Sequence, residues 1–284
     1  MLNFKYKNII KIFFLFIFFI FVFSGCNTLN SLQLKLGIKN NNFEYIKQGK
    51  VEKIVIQNTR DPGFRFIVTD QNSIKRLYDI LSSAKEAKQK SFLEPDYIFE
   101  MYEGHNKIHK FKYVAGLDKK DGGNLYNNNK VYIVSKRIDN DIIKNFWNIR
   151  KPKDFEKVYY NSIVEVIEKY QEKYGKDKII GLNINDDISI AKFILSYDLE
   201  EFKNRLSSKF NGNVELVSKN YNANKYDIIM TVKTEGYKSR LYKGIVTFRN
   251  RKDQTETKYY IYNKYDNGRW EIDIYTSKDR PKDF

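Results

Sequence analysis

Chemistry in this chain has to come from a short roster of side chains. Carboxylates cluster at Asp186-Asp187 and again at Asp198, Glu200 and Glu201. Paired acids can do general acid and base work, but adjacent acids at a strand end or helix start more commonly serve as solvated caps, and they are read so here. His105 and His109 have the i, i+4 spacing that binds a metal from one helix face. The flanking sequence reads instead as a hairpin, with His105 in its turn and His109 in a strand. With no further histidine and a single cysteine, zinc is excluded, and both histidines are read as surface residues. The stretch Asp118 to Asn124 has the outline of a calcium loop, yet Lys120 and Gly122 stand where positions three and five need oxygen donors. It reads as a flexible turn. No G-x-S-x-G, P-loop, dinucleotide-binding turn or H-E-x-x-H occurs, so the chain is read as non-catalytic, with no metal and no cofactor.

Charge and aromatic content narrow the partners without naming one. Lys+Arg is 51 against Asp+Glu 35, a formal +16 over 284 residues. Lysine dominates and is spread along the whole chain, whereas a nucleic-acid binder concentrates Arg and Lys in a stripe interleaved with aromatics. No nucleic acid is expected; an anionic polymer remains a candidate partner. Tyr (22) and Phe (21) are abundant, and most are read as core and sheet-face residues. If the chain has an aromatic ligand groove, Tyr226, Tyr242, Tyr260, Tyr262 and Trp270 are the residues expected to line it.

The only thiol, Cys26, sits at the end of a leader. Lys5, Lys7 and Lys11 precede an unbroken apolar run, Ile12 to Phe23, which ends in Ser24-Gly25-Cys26. This is the charged, apolar, small-residue order of a secretory signal, and its apolar stretch falls well short of the roughly 20 residues of a spanning helix. Phe23-Ser24-Gly25-Cys26 resembles the bacterial lipoprotein lipobox, with Phe23 standing where that family usually has Leu. The resemblance implies cleavage between Gly25 and Cys26 and a diacylglycerol thioether on Cys26. Two acyl chains, at about 0.8 kcal/mol per buried CH₂, then hold the protein on the extracytoplasmic face of the cell membrane.

The elements behind the leader read as an α+β chain in two units. Residues 26–50, with the polar run Lys39-Asn40-Asn41-Asn42, read as a tether, with a short helix around Leu29 to Leu36. The first domain, 51–150, opens with strands at Val51 to Ile56 and Phe64 to Val68 around the turn Asp61-Pro62-Gly63. A helix follows, capped by Asp70 or Asn72 and carrying Ile74, Leu77, Ile80, Leu81 and Ala84. Then come a hairpin over 97–113, a strand at Lys130 to Ser135, and a helix bearing Ile142, Ile143, Phe146 and Trp147. Lys151-Pro152-Lys153 is the boundary.

The second domain, 151–284, begins with a helix from Phe155 to Tyr174 stopped by Gly175. A strand at Ile179 to Ile184 and a helix opened by the box-like pair Asp198 and Glu201 come next. Strands at 214–218, 226–234, 242–249, 258–265 and 269–275 read as an antiparallel meander, with Asp266-Asn267-Gly268 as its strongest turn. A curved antiparallel sheet packed on helices is expected, like cystatin or NTF2 domains at the level of fold only.

Pro95-Asp96-Tyr97 at the start of a strand, Glu103-Gly104 at the hairpin and Val131-Tyr132-Ile133 before the last helix resemble the YhfM-like domain of Gram-positive lipoproteins. The resemblance covers Val51 to about Trp147 and implies a small extracytoplasmic domain with no established catalytic centre. Leader and resemblance together lead to one expectation, a lipid-anchored, non-enzymatic protein that binds another envelope component. The alternatives are a solute- or polymer-binding lipoprotein with a pocket in the second domain and, third, a cell-wall enzyme.

Overall fold

The computed structural model describes residues 32–117, 122–143, 151–282 and 284. The leader, Cys26, Phe146 and Trp147 lie outside the described residues. Among those described, no helix is long and apolar enough to cross a membrane.

The chain is committed to the fold earlier than the tether reading allows. Asn40, in the polar run taken as linker, donates through Nδ2 to the carbonyls of Leu81, Ser82 and Ala84 at 2.9–3.0 Å. These carbonyls lie at and just past the C-terminal end of a helix, where acceptors without an intrahelical donor need a partner when buried. Phe43 and Ile46, on either side of the start of the short helix α1 (Glu44–Lys47), are buried in the first core. Residues from Asn40 onward, expected as tether, therefore belong to the first unit.

In the first unit β1 (Val51–Asn58) pairs with β2 (Arg65–Val68), as the Asp61-Pro62-Gly63 turn between them predicts. The helix α2 (Gln71–Ser82) follows, and the Asp70 carboxylate fixes its start by accepting from Ser73 N at 2.8 Å. Strands β3 (Lys85–Glu86), β4 (Tyr97–Glu103), β5 (Lys107–Tyr113), β6 (Leu125–Tyr126) and β7 (Val131–Ile133) complete an antiparallel sheet in the order β2-β1-β4-β5-β6-β7-β3. Register sets Ile54 beside Met101, and Ile56, Phe99 and Phe111 side by side. Ile74, Leu77, Ile80 and Leu81 of α2 join these residues in one core. The two-residue strands β3 and β6 are too short to leave a periodic signal. Beyond β7, where a regular helix was expected, the described chain forms a π-helical segment, Ile138–Ile143.

The second unit is built on α3 (Phe155–Tyr174), whose span is as the sequence predicts, with Tyr160, Val164 and Gln171 buried as well as the expected face. Strand β8 (Ile180–Asn183), helix α4 (Ser196–Lys209) and strand β9 (Val214–Leu216) precede the long strands β10 (Ile228–Lys238), β11 (Leu241–Asn250), β12 (Glu256–Asp266) and β13 (Arg269–Thr276). The sheet order is β13-β12-β11-β10-β8-β9, and β8 runs parallel to both its neighbours. The wholly antiparallel expectation is corrected at this edge. A helix between β8 and β9 carries the chain back to the starting end, and such a crossover yields parallel strands. At the other edge Asn267 (φ 46°) and Gly268 (φ 83°) make the tight turn that the sequence predicts. α+β describes both units.

Helix α4 begins two residues before Asp198, after Leu195, with no side-chain cap from its own segment. The expected cap pair Asp198 and Glu201 is thus inside the helix. What holds its start comes from the first unit.

Candidate functional site

The seam between the units is organised by Asp96, whose side chain is fully buried just before β4. Its carboxylate accepts from Arg60 Nη1 at 2.7 Å, Ser196 N at 2.8 Å and Ala115 N at 2.9 Å. Burial pushes this carboxyl up, while Arg60 and then the Ala115 and Ser196 amides pull it back toward ionisation. Arg60 also donates to the Ile194 carbonyl and the Ser196 hydroxyl, which in turn donates to Glu94 O at 2.7 Å. Asp96 therefore supplies the first turn of α4 with the cap its own sequence lacks, from 100 residues away. No spacing rule connects Arg60, Asp96 and Ser196.

Next to this knot a cleft of about 630 Å³ opens between the units. Tyr97, Gly116, Lys136 and Asp139 line it from the first unit, Lys151 and Glu156 from the second. Asp139 Oδ1 accepts from the Tyr113 hydroxyl at 2.9 Å and Oδ2 from Gly116 N at 3.0 Å. Burial raises its pKa, the two donors oppose the rise, and nearby Asp96 adds to it. Lys151 Nζ reaches Glu156 Oε1 at 2.7 Å across the first turn of α3. The buried Tyr97 hydroxyl has the Asn58 side chain beside it but completes no hydrogen bond. The cleft presents charges of both signs together with an aromatic wall, as a small-molecule site requires.

Glu156 also faces a smaller crevice, of about 190 Å³, between α3 and α4. Asp198 lies there, half-buried, and accepts no hydrogen bond among the described residues. Its carboxyl is pushed up to about 6, first by burial and then by Glu156, with Asp96 and Glu201 adding to the rise and Lys151 opposing it. Of the acids read as solvated caps, Asp186 and Glu201 are exposed, whereas Asp198 and Asp187 are of two other kinds. Asp198 is desolvated and unpaired. Asp187, 2% exposed, accepts from Thr234 N at 3.0 Å, Thr234 Oγ1 at 2.7 Å and the Tyr159 hydroxyl at 3.2 Å, which ties the loop after β8 to the sheet. Asp186 accepts from Asn183 Nδ2 at 2.7 Å.

The five aromatic residues expected in a groove are not brought together. Tyr242 is fully buried, and its hydroxyl meets Thr234 Oγ1 in the Asp187 network. Trp270 Nε1 donates to the Lys153 carbonyl at 2.9 Å, pinning the chain just before α3. Tyr260 and Tyr262 alternate with the core residues Tyr259 and Ile261 and so face away from that core. The Phe284 ring lies 5.0 Å from Tyr260, and the ammonium groups of Lys243 and Lys264 sit over Tyr262. Tyr226 lies at the far edge over Gly181, where any Cβ would come within 2.7 Å of its ring. Period-2 alternation put these residues on a sheet, but a sheet has two faces and six strands to divide them among.

The histidines also divide. His105 is exposed in the turn. His109 is half-buried, stacked on Tyr45 at 3.8 Å between ring centroids, with Nε2 2.7 Å from Glu103 Oε2. Among the described residues no cluster of three or more His, Cys, Asp or Glu side chains could hold a metal ion. Compared with known proteins, the chain matches no curated protein and no solved structure. Residues 47–152, which run from the end of α1 through the whole first sheet to the start of the second unit, match the family model described as YhfM protein, so the first unit is a YhfM-like domain.

Proposed function

We propose that this protein is a lipid-anchored binding protein of the cell envelope, which takes a small polar solute into the cleft between its two units without transforming it. The reading puts a diacylglycerol anchor on Cys26, on the outer face of the membrane, and treats 51–150 and 151–284 as its domains. The second domain is read as a cystatin- or NTF2-like curved sheet. The observation that carries the proposal is the cleft itself, with Asp139, Glu156, Lys136 and Lys151 around a volume of about 630 Å³. Such a cavity favours a solute over the envelope protein expected first, and it moves the site from the second sheet to the seam.

Two experiments test the two halves of the proposal. Cys26→Ala should abolish fatty-acid labelling and release the protein from the membrane fraction; retained labelling contradicts the anchor. For the cleft, the exposed Asn140 on its rim is replaced by Trp, and protein purified from native membranes is compared with wild type by native mass spectrometry. A small molecule should travel with the wild type and be lost from Asn140→Trp. If no small molecule travels with the wild type and crosslinking captures a specific envelope protein, the partner-protein reading replaces this one.

A further inference from the structure

We propose that the crevice between α3 and α4 is a binding site for a primary ammonium group carried by a small molecule. Its walls are Glu156, Tyr160 and Asn161 from α3 and Asp198, Glu201 and Phe202 from α4. Two polar groups here lack partners. Asp198 accepts no hydrogen bond and joins no ion pair among the described residues. Tyr160 is 5% exposed, and its hydroxyl is buried without a hydrogen bond. A buried polar group left unpaired costs about 1–3 kcal/mol, so folded proteins keep few of them and each calls for an explanation. The Tyr160 hydroxyl is such a group, and with the half-buried, unpartnered Asp198 carboxylate beside the same cavity it points to a ligand that completes the set.

Donor and acceptor chemistry selects the class of ligand. Ionised Asp198 and Glu156 only accept, and the Tyr160 hydroxyl has lone pairs to offer. An ammonium group carries three donors and no acceptor, so it can satisfy all three. Phe202 stacks on Tyr160 at 4.5 Å and 29°, which gives the alkyl part of an amine an aromatic wall. A hard divalent cation is served poorly, since it wants six or more oxygen ligands, and no group of three or more acidic or histidine side chains among the described residues could hold a metal ion. Glu156 is already engaged by Lys151 from the cleft side, so Asp198 and Tyr160 carry the recognition.

The test titrates full-length protein in detergent with n-butylammonium and, in parallel, with n-butanol, by calorimetry and NMR. Saturable binding of the amine alone is expected. Asp198→Asn should weaken it by at least about tenfold, and Tyr160→Phe, which keeps the ring stacked on Phe202, by about threefold to tenfold. Thermal unfolding checks that both variants are folded. No saturable amine binding to the folded wild type, equal binding of n-butanol, or unchanged affinity in both variants would overturn the proposal. Asn140 lines the cleft and not this crevice, so Asn140→Trp should leave amine binding intact, and the two sites can fail separately.

Discussion

Asp96, at the seam between the two units, and Asp198, in the α3–α4 crevice of the second unit, are carboxylates with opposite surroundings. Asp96 is fully buried and has a guanidinium and two backbone amides aimed at it. Asp198, at one side of α4's first turn, is half-buried and receives nothing among the described residues. Desolvation raises both, but only Asp96 has donors that repay it. A carboxylate with its donors in place is architecture; one left without them beside a cavity is available to a ligand.

Removing the satisfied partner should have the largest effect. Asp96→Ala strands Arg60 in the seam and uncaps α4, and it should cost about 3–5 kcal/mol in denaturant unfolding, with loss of cooperativity between the units. A loss under about 1 kcal/mol would erase the contrast. Asp187 tests the same rule away from the seam. In Asp187→Asn an amide donor faces at least one of the Thr234 and Tyr159 donors, and the expected loss is about 2–3 kcal/mol.

Asp198 should behave in the opposite sense. A carboxyl that titrates near 6 when folded and near 3.8 when unfolded binds its proton more tightly in the folded state. The charged form then costs stability above about pH 6, and the cost vanishes below about pH 4. Asp198→Asn should therefore stabilise the protein by about 1–2 kcal/mol at pH 7, allowing for its partial exposure, and leave it unchanged near pH 4. Chemical denaturation at the two pH values measures this. The smallest effect is expected from Tyr160→Phe. Deleting an unpaired hydroxyl should leave stability within about 0.5 kcal/mol of wild type or raise it slightly, whereas a clear loss would reveal a partner for that hydroxyl.

How much of this could be read from the sequence follows from the range of the interactions. The span of α3, the 97–113 hairpin and the Asn267-Gly268 turn are local: periodicity, flanking residues and turn chemistry suffice for them. The Asn40 contacts are legible only with the fold in hand, because the carbonyls they satisfy lie more than 40 residues on. The start of α4 was misplaced for the same reason, since its cap is Asp96 and the local Asp198 offered a plausible substitute. The groove failed differently. Alternation identified each strand correctly, but Tyr242 and Trp270 went to packing and pinning while Tyr260 and Tyr262 went to the other face. The site candidates Asp139, Glu156 and Tyr160 come from two elements, the π-helical segment and α3, and share no motif.

The most direct measurement of the contrast is the titration of Asp198 itself, followed by carboxyl carbon NMR with and without n-butylammonium. Burial first, then the charges of Glu156, Lys151, Asp96 and Glu201, set its midpoint. A midpoint near 6 in the free protein, falling when the amine is added, is the predicted result. A midpoint near 4, unmoved by the amine, would contradict it.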